Sequence, residues 1–385
     1  MQLKIDKLVP GGQGIGTLES GQKCFVWGGL PGEIVEFEVT KKKRSYLEGV
    51  VTGVVEASEY RVEPRDECYL ATSPWQVMDY EYELRQKSKI LDEIFRQNSI
   101  DLTSGPFKTY GLDYFYRNKM EYSVYWDHDT EKIELAFHVR GTHRKIPVQS
   151  SSIERPEVLA EAKRILAGLN ASGRQAREIQ SIMVRCAQDG RVSSAVYENG
   201  KSHPEMLTLT DKLLGYEYTY SPNGFFQINL PVYEMALKEI AQWIETEGVL
   251  DLYAGVGTVG LSVARERKLT LVEVNGDAYR ELERNAEGAG GQVETVLAKS
   301  EEALDFLKPD LTVIVDPPRA GCDEKLIRRL MEVKPERIIY LSCNPVTQAR
   351  DMKLLLEGYK VLTAQGCNFF PRTPHIENLV VLSRK

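Results

Sequence analysis

No stretch of this 385-residue chain approaches the ~20 uninterrupted apolar positions of a membrane-spanning helix, so a protein of that kind is not expected. The first twenty positions are mixed polar and glycine-rich without an apolar core, so no secretory signal is read there and a cytoplasmic location is expected. Cysteine is sparse and scattered. Cys24, Cys68, Cys186, Cys322, Cys343 and Cys367 include no C-x-x-C pair, so neither a disulfide framework nor a paired-thiol zinc site is signalled. Positive charge is in deficit: 49 Lys and Arg stand against 56 Asp and Glu, a net charge of -7. Indiscriminate coating of nucleic acid is therefore disfavoured, although a local basic face can still hold phosphate. What is present is the composition of a folded chain, 42% hydrophobic and 27% charged, and at roughly 150 residues per domain the length predicts two or three units.

Three regions can be distinguished. Residues 1–57 show short alternating runs, Ile34 to Val39 and Leu47 to Val55, broken by Gly28-Gly29 and Pro31-Gly32, a pattern that predicts a small β-barrel. Lys41, Lys42, Lys43 and Arg44 fall between those two strands and would project positive charge from a hairpin tip. Residues 58–222 begin with a helical repeat from Tyr80 to Asn98. Strands follow at Met120 to Tyr125, Ile133 to Val139, Ile182 to Val184 and Val192 to Tyr197, with a helix near Glu157 to Leu169, giving an α+β unit. Basic and aromatic residues interleave in it: Tyr114, Phe115, Tyr116, Arg117 and Lys119, then Arg140, His143, Arg144 and Lys145. That mixture suits RNA, whose phosphates pair with cations and whose splayed bases stack on rings, and it equally suits a half-buried strand face.

From 223 to 385, strand-like and helix-like runs alternate as in a doubly wound α/β domain, whose ligands bind beyond the carboxyl ends of the strands. After the first strand, Asp251 to Gly260 matches G-x-G-x-x-G through Gly255, Gly257 and Gly260, and Glu273 lies 18 residues past Gly255, where an acidic side chain would take ribose hydroxyls. A nicotinamide dinucleotide and S-adenosylmethionine both fit this much. The third strand ends in Asp316-Pro317-Pro318-Arg319, a rigid acidic turn for which hydride transfer gives no reason. The fourth ends in Ser342-Cys343-Asn344-Pro345, which puts a thiol at the same cleft mouth. Glu377 precedes the last apolar strand, Leu379 to Leu382.

A thiol beside a carboxylate is what methylation of a pyrimidine carbon requires. Carbon 5 of uracil becomes nucleophilic only once a thiolate has added to carbon 6, and a base must later remove the carbon 5 proton. Cys343 and Glu377 are the candidates for those two roles. A thiol of pKa ~8.5 is only a few per cent ionised at neutral pH, so the site must favour the thiolate or move its proton.

With these residues in view, the sequence resembles the uracil-5 RNA methyltransferases, which make 5-methyluridine in ribosomal and transfer RNA. The likeness rests on Phe225-Phe226-Gln227-Ile228-Asn229, the Asp251 to Thr258 loop, Asp316 to Arg319, Ser342 to Pro345, and Pro374-His375-Ile376-Glu377. The resemblance implies a class I, Rossmann-like methyltransferase domain using S-adenosyl-L-methionine. It implies Cys343 as nucleophile and Glu377 as base, with Gln227, Tyr253, Glu273 and Asp316 lining cofactor and uridine, and Gly255 and Thr258 in the cofactor loop. Residues 1–57 resemble a TRAM domain, an OB-like barrel, which implies RNA contact at Lys41 to Arg44; Arg117 and Lys119 are implied as further RNA contacts. Ribosomal RNA is expected over transfer RNA on the strength of the barrel, and a monomer is expected.

One departure stands out. Relatives with this barrel often hold a four-iron cluster on four cysteines, three of them in C-x5-C-G-G-C. Here the corresponding stretch, Cys68 to Gln76, keeps Cys68 alone, so no iron–sulfur cluster is predicted, Cys68 is read as a packed thiol, and Trp75 and Tyr80 are expected to brace the region. The alternatives are a transfer RNA uracil-5 enzyme, an RNA cytosine-5 methyltransferase, whose second, releasing thiol Cys322 does not match in its setting, and a dinucleotide-dependent oxidoreductase.

Overall fold

The computed structural model describes residues 1–140, 144–201 and 204–385, among which the chain forms four sheets. His143 of the interleaved cluster lies outside the described residues.

The first sheet contains β1 (Gln2–Lys4), β2 (Lys7–Leu8), β3 (Gly14–Thr17), β4 (Lys23–Trp27), β5 (Ile34–Lys42) and β6 (Tyr46–Glu56), in the order β1-β5-β6-β4-β3-β2. Alternation along β5 turns Val35 and Phe37 onto Leu3, Cys24, Val26 and Leu47, while Glu36 and Glu38 face out. The sheet curls until its ends meet. β1 comes against β3, where a Cβ on Gly16 would lie 2.1 Å from the Lys4 carbonyl oxygen, so only glycine allows that closure. This is the expected OB-like barrel. Lys41 and Lys42 end β5, and Lys43 and Arg44 form the exposed turn into β6.

A bridging segment follows, with a helical turn α1 (Tyr69–Thr72), a 3-10 turn at Pro74–Val77 and the long α2 (Tyr80–Gln97). Asp79 caps α2 by accepting from the Tyr82 amide at 3.1 Å. The apolar stripe of α2, Ile90, Leu91, Ile94 and Phe95, enters the same core as the last sheet. The second sheet holds β7 (Lys119–Asp127), β8 (Lys132–His138), β9 (Lys145–Pro147), β10 (Ile179–Cys186) and β11 (Val192–Glu198), ordered β11-β10-β7-β8-β9 and covered by α3 (Pro156–Ala171). A hairpin, β12 (Leu209–Leu213) and β13 (Tyr216–Tyr220), packs Leu213, Tyr218 and Tyr220 against the final α/β unit.

That unit begins with α4 (Leu230–Ala241) and continues β14 (Gly248–Leu252), α5 (Thr258–Ala264), β15 (Lys268–Glu273), α6 (Gly276–Ala286), β16 (Gln292–Leu297), β17 (Leu311–Val315), α7 (Glu324–Val333), β18 (Arg337–Ser342), α8 (Pro345–Leu355), β19 (Tyr359–Cys367) and β20 (Glu377–Arg384). Its seven strands run β16-β15-β14-β17-β18-β20-β19, with β20 antiparallel to both its neighbours. The four inner parallel strands are apolar on both faces, which made them legible in the sequence. Both edge strands, β16 and β19, carry mixed polar sequences and were not read as strands. No described helix is long and apolar enough to cross a membrane.

Candidate active site

The parallel strands deliver their carboxyl ends to one edge of the sheet, and two cavities open there. The larger, about 860 Å³, is lined among others by Tyr253, Glu273, Lys299, Ser300, Pro318 and Cys322. Beside it the loop after β14 turns sharply, with Tyr253, Gly255 and Gly257 all at positive φ. A Cβ on Gly257 would meet Leu282 at 2.6 Å, whereas at Gly255 nothing lies within 4 Å, so that α-carbon is open to a close-approaching ligand. Two carboxylates fix the loop. Glu273 accepts from the amides of Gly255 at 2.8 Å and Asn275 at 2.6 Å, and Asp251 accepts from Gly260 at 2.8 Å. Burial pushes Asp251 up to about 8, and its second oxygen has no partner among the described residues. An open glycine turn, a strand-end carboxylate and a cavity of this size fit a nucleoside cofactor bound by its ribose.

The smaller cavity, about 390 Å³, is lined among others by Phe225, Gln227, Asp316, Arg319, Cys343 and Glu377. Pro318 lines both cavities and so forms their common wall. The register of β18 and β20 pairs Ser342 with Asn378, so the next step along places Cys343 opposite Glu377. Directly opposed residues of an antiparallel pair project from the same face, which brings thiol and carboxyl together. Asn344 caps α8 and donates to the Arg319 carbonyl at 2.8 Å, tying the thiol's loop to the acidic proline turn.

Burial sets the charges here, with the neighbouring carboxyls second. The Cys343 thiol is pushed up to about 11 by burial, then by Glu377 and Asp316, while Arg319 opposes the rise. Glu377 is raised well above the ordinary carboxylate range by burial and Asp316, again against Arg319, and burial lifts Asp316 to about 7. His375, in the same cavity, is pushed down to about 3 by burial and then by the cations Arg319, Lys87, Arg140 and Arg117. Among the described residues no hydrogen bond reaches the side chains of Gln227, Asp316, His375 or Glu377.

Of the residues singled out from sequence, Tyr253 and Glu273 stand in the larger cavity, and Gln227, Asp316, Cys343 and Glu377 in the smaller. Gly255 and Thr258 line neither; the Thr258 hydroxyl lies 2.8 Å from that of Tyr233 between α4 and α5. Arg117 and Lys119 are half-buried. Arg117 Nε donates to the Lys119 carbonyl at 2.9 Å, and Lys119 Nζ donates to that of Gly224 at 3.3 Å, next to the segment carrying Phe225 and Gln227. Burial and then Arg185 pull Lys119 down to about 8. Arg140 is a strut between regions, stacked on Trp27 of the barrel and donating to the Leu70 carbonyl at 2.8 Å. Lys41 pairs with Glu48 at 3.3 Å. Cys322 is buried against the larger cavity, away from Cys343's, so it is not placed as a second thiol for the same base. Lys299 and Ser300 were missed from sequence because they follow β16, and Phe370 because its loop carries no pattern.

The junction that replaces the paired cysteines is densely bonded. Cys68 is buried near Ser150, and its thiol is pushed up to about 12 by burial and then by Asp66. Trp75 donates to the Gly12 carbonyl at 3.0 Å and, by its amide, to that of Arg372 at 3.1 Å. Gln76 binds Asp66 and Ser73, each at 2.7 Å. Among the described residues there is no group of three or more His, Cys, Asp or Glu able to hold a metal.

Comparison with known proteins agrees with this arrangement. A family model described as tRNA (Uracil-5-)-methyltransferase matches residues 304–385, and the TRAM domain model matches 1–52. An "Uncharacterized RNA methyltransferase" of Bacillus cereus is 30% identical over 447 aligned positions, covering 99% of this chain and 96% of that protein. Another so described, from Nanoarchaeum equitans, is 28% identical, covering 100% and 93%. The crystal structure of Pyrococcus abyssi tRNA (uracil-54, C5)-methyltransferase in complex with S-adenosyl-L-homocysteine shares the fold, with a TM-score of 0.80 and 24% identity over 99% of this chain and 100% of that one. The chain belongs to the TRAM-containing uracil-5 RNA methyltransferase family.

Proposed function

We propose that this protein methylates carbon 5 of a uridine in RNA, with Cys343 as nucleophile and Glu377 as base. The observation that carries the reading is their opposition across β18 and β20 in a cavity that shares the Pro318 wall with the larger one. S-adenosylmethionine supplies an electrophilic methyl on a positively charged sulfur. Glu273, Tyr253 and Ser300 would hold its nucleoside, and the Gly255 turn lets it approach the backbone.

The Cys343 thiol gives its proton to solvent and, as the thiolate, bonds through sulfur to carbon 6 of the uracil, while the electrons of the 5,6 double bond move toward the oxygen on carbon 4. Carbon 5 then takes the methyl as the methyl–sulfur bond breaks. Glu377 removes the carbon 5 proton, the double bond re-forms and the Cys343 thiolate leaves. A carboxylate that burial has made strongly basic suits removal of a carbon-bound proton. The target base must leave its stack to reach the cavity, and Phe225, 75% exposed at the rim, offers a ring to the RNA.

The expectation of ribosomal RNA rests on the barrel, and the Pyrococcus abyssi transfer RNA enzyme shares the fold over 99% of this chain. The names of that enzyme and of the matched model favour a transfer RNA substrate as the second reading. Nucleoside mass spectrometry of unmodified ribosomal and transfer RNA, incubated separately with methyl-labelled cofactor, tests both. Labelled 5-methyluridine in one pool is expected; label only in cytidine would overturn the uracil reading.

A further inference from the structure

The proposed mechanism leaves one charge unattended. When sulfur adds to carbon 6, negative charge builds on the oxygen at carbon 4, inside a cavity whose nearest ionisable groups include two carboxyls, Asp316 and Glu377. Enclosed sites stabilise such an oxyanion with fixed donors, and removing one costs roughly 10²- to 10³-fold in rate.

His375 is placed to be that donor. It lines the same cavity as Cys343 and Glu377 and precedes Glu377 by two residues as the chain enters β20. Because its side chain and those of Cys343 and Glu377 line one cavity, the imidazole stands beside the reacting pair. Its ring meets Phe370 edge to face, with centroids 5.3 Å apart, which fixes its plane. Among the described residues neither ring nitrogen has a hydrogen-bond partner, unusual for a half-buried polar group not reserved for a ligand. Arg319, Lys87, Arg140 and Arg117 all disfavour its protonation, so it is a neutral imidazole that still carries one N–H. A neutral imidazole can donate to a developing enolate without adding a positive charge that would lower the basicity of Glu377. Arg319, by contrast, is exposed at the rim.

We infer that His375 is a further catalytic residue, donating a hydrogen bond from its neutral ring to the uracil oxygen at carbon 4 as Cys343 adds to carbon 6. This rests on the function proposed above. The test uses the full-length protein with unmodified transfer and ribosomal RNA transcribed with 5-fluorouridine. Fluorine at carbon 5 leaves no proton for Glu377, so the methylated protein–RNA adduct persists and its rate of formation reports addition and methyl transfer alone.

His375→Ala and His375→Leu are expected to slow adduct formation about 100-fold or more. His375→Gln, which keeps an N–H donor, restores most of the rate, and non-covalent RNA affinity stays unchanged in all three. Adduct formation by His375→Ala at the wild-type rate overturns the proposal alone, as does a loss that Gln shares and that tracks lost RNA affinity. If the wild-type protein forms no adduct with either RNA, while Cys343→Ala behaves identically, the underlying reading falls and this inference with it.

Discussion

Buried polar groups gather in two places, and their surroundings differ. At the junction of barrel, α2 and the final sheet they answer one another. Lys87 and Glu83, both side chains 0% exposed, pair at 2.8 Å; Lys87 also donates to Asn368 at 2.6 Å, and Glu83 accepts from the Arg372 amide at 3.0 Å. Arg372, left-handed at φ 62, donates to Asp113 and, at 2.7 Å, to the Met78 carbonyl. In the smaller cavity the opposite holds: Gln227, Asp316, His375 and Glu377 are held by backbone and packing yet keep their side-chain polar atoms unpartnered among the described residues. Satisfied networks specify a structure, whereas unsatisfied groups facing a cavity await a ligand. The two places touch, since the loop from Asn368 to Ile376 interleaves the junction residues Asn368 and Arg372 with the cavity residues Phe370 and His375.

The sharpest way to break the contrast is through the thiols. Cys343→Ala should abolish methyl transfer, by roughly 10⁴-fold or more, while leaving the melting temperature unchanged. Cys68→Ala, in the packed junction, should do the reverse, retaining transfer at a stability cost on the order of 1 kcal/mol. Labelled-methyl incorporation and thermal denaturation on both variants decide; transfer retained by Cys343→Ala would refute its role as nucleophile. Glu377→Gln comes next. If Glu377 is the proposed base, this variant fails only after the methyl has moved, so turnover should fall by about 10²- to 10⁴-fold and a denaturant-resistant protein–RNA species should accumulate on gels.

On the junction side, Lys87→Met would leave the Glu83 carboxylate buried without its cation. The expected cost is about 3–5 kcal/mol, seen as a lower urea midpoint, and replacing both partners together should recover part of it. An unchanged midpoint would mean that the junction does not brace the site loop.

This contrast also explains what could be read from the sequence. The barrel, α2 and the inner strands β14, β15, β17 and β18 announce themselves by periodicity or by apolar runs, and Cys343 and Glu377 by lying at strand ends. The edge strands β16 and β19 carry no such signal, and Lys299 and Ser300 went unseen with β16. Arg117 and Lys119 looked like free cations, because a sequence shows charge but not the backbone carbonyls that occupy it. The brace was half legible. Trp75 and Tyr80 were expected, but Lys87 and Arg372 are 285 positions apart and meet only in the fold.

Titration offers a smaller effect. With the free thiol of Cys343 near 11, its thiolate fraction grows as pH rises, so alkylation by iodoacetamide should accelerate about tenfold per unit between pH 7 and 9. Burial is the first cause of that elevation and Arg319 the opposing one, so Arg319→Met should slow alkylation at any pH in this range. A rate already level by pH 8 would show that Arg319 outweighs burial.

The smallest expected effect concerns the barrel tip, which belongs to neither polar cluster. Lys42 at the end of β5 and Lys43 and Arg44 on the turn into β6 are exposed, and Lys41 beside them already shares its charge with Glu48. Any contact they make with phosphate is solvent-screened, and each cation lost should lower the slope of log affinity against log salt by roughly 0.7–0.9. Replacing Lys43 and Arg44 by Ala should therefore weaken RNA binding several-fold at low salt and reduce that slope by about 1.4 to 1.8, with the rate of methyl transfer from saturated complex unchanged. The same double replacement at the buried Lys87 and Arg372 would act through folding instead, with no change in salt slope for the protein that remains folded. If the barrel-tip variant lowered the saturated rate, the hairpin would be part of how the uridine is presented to Cys343 rather than a screened anchor.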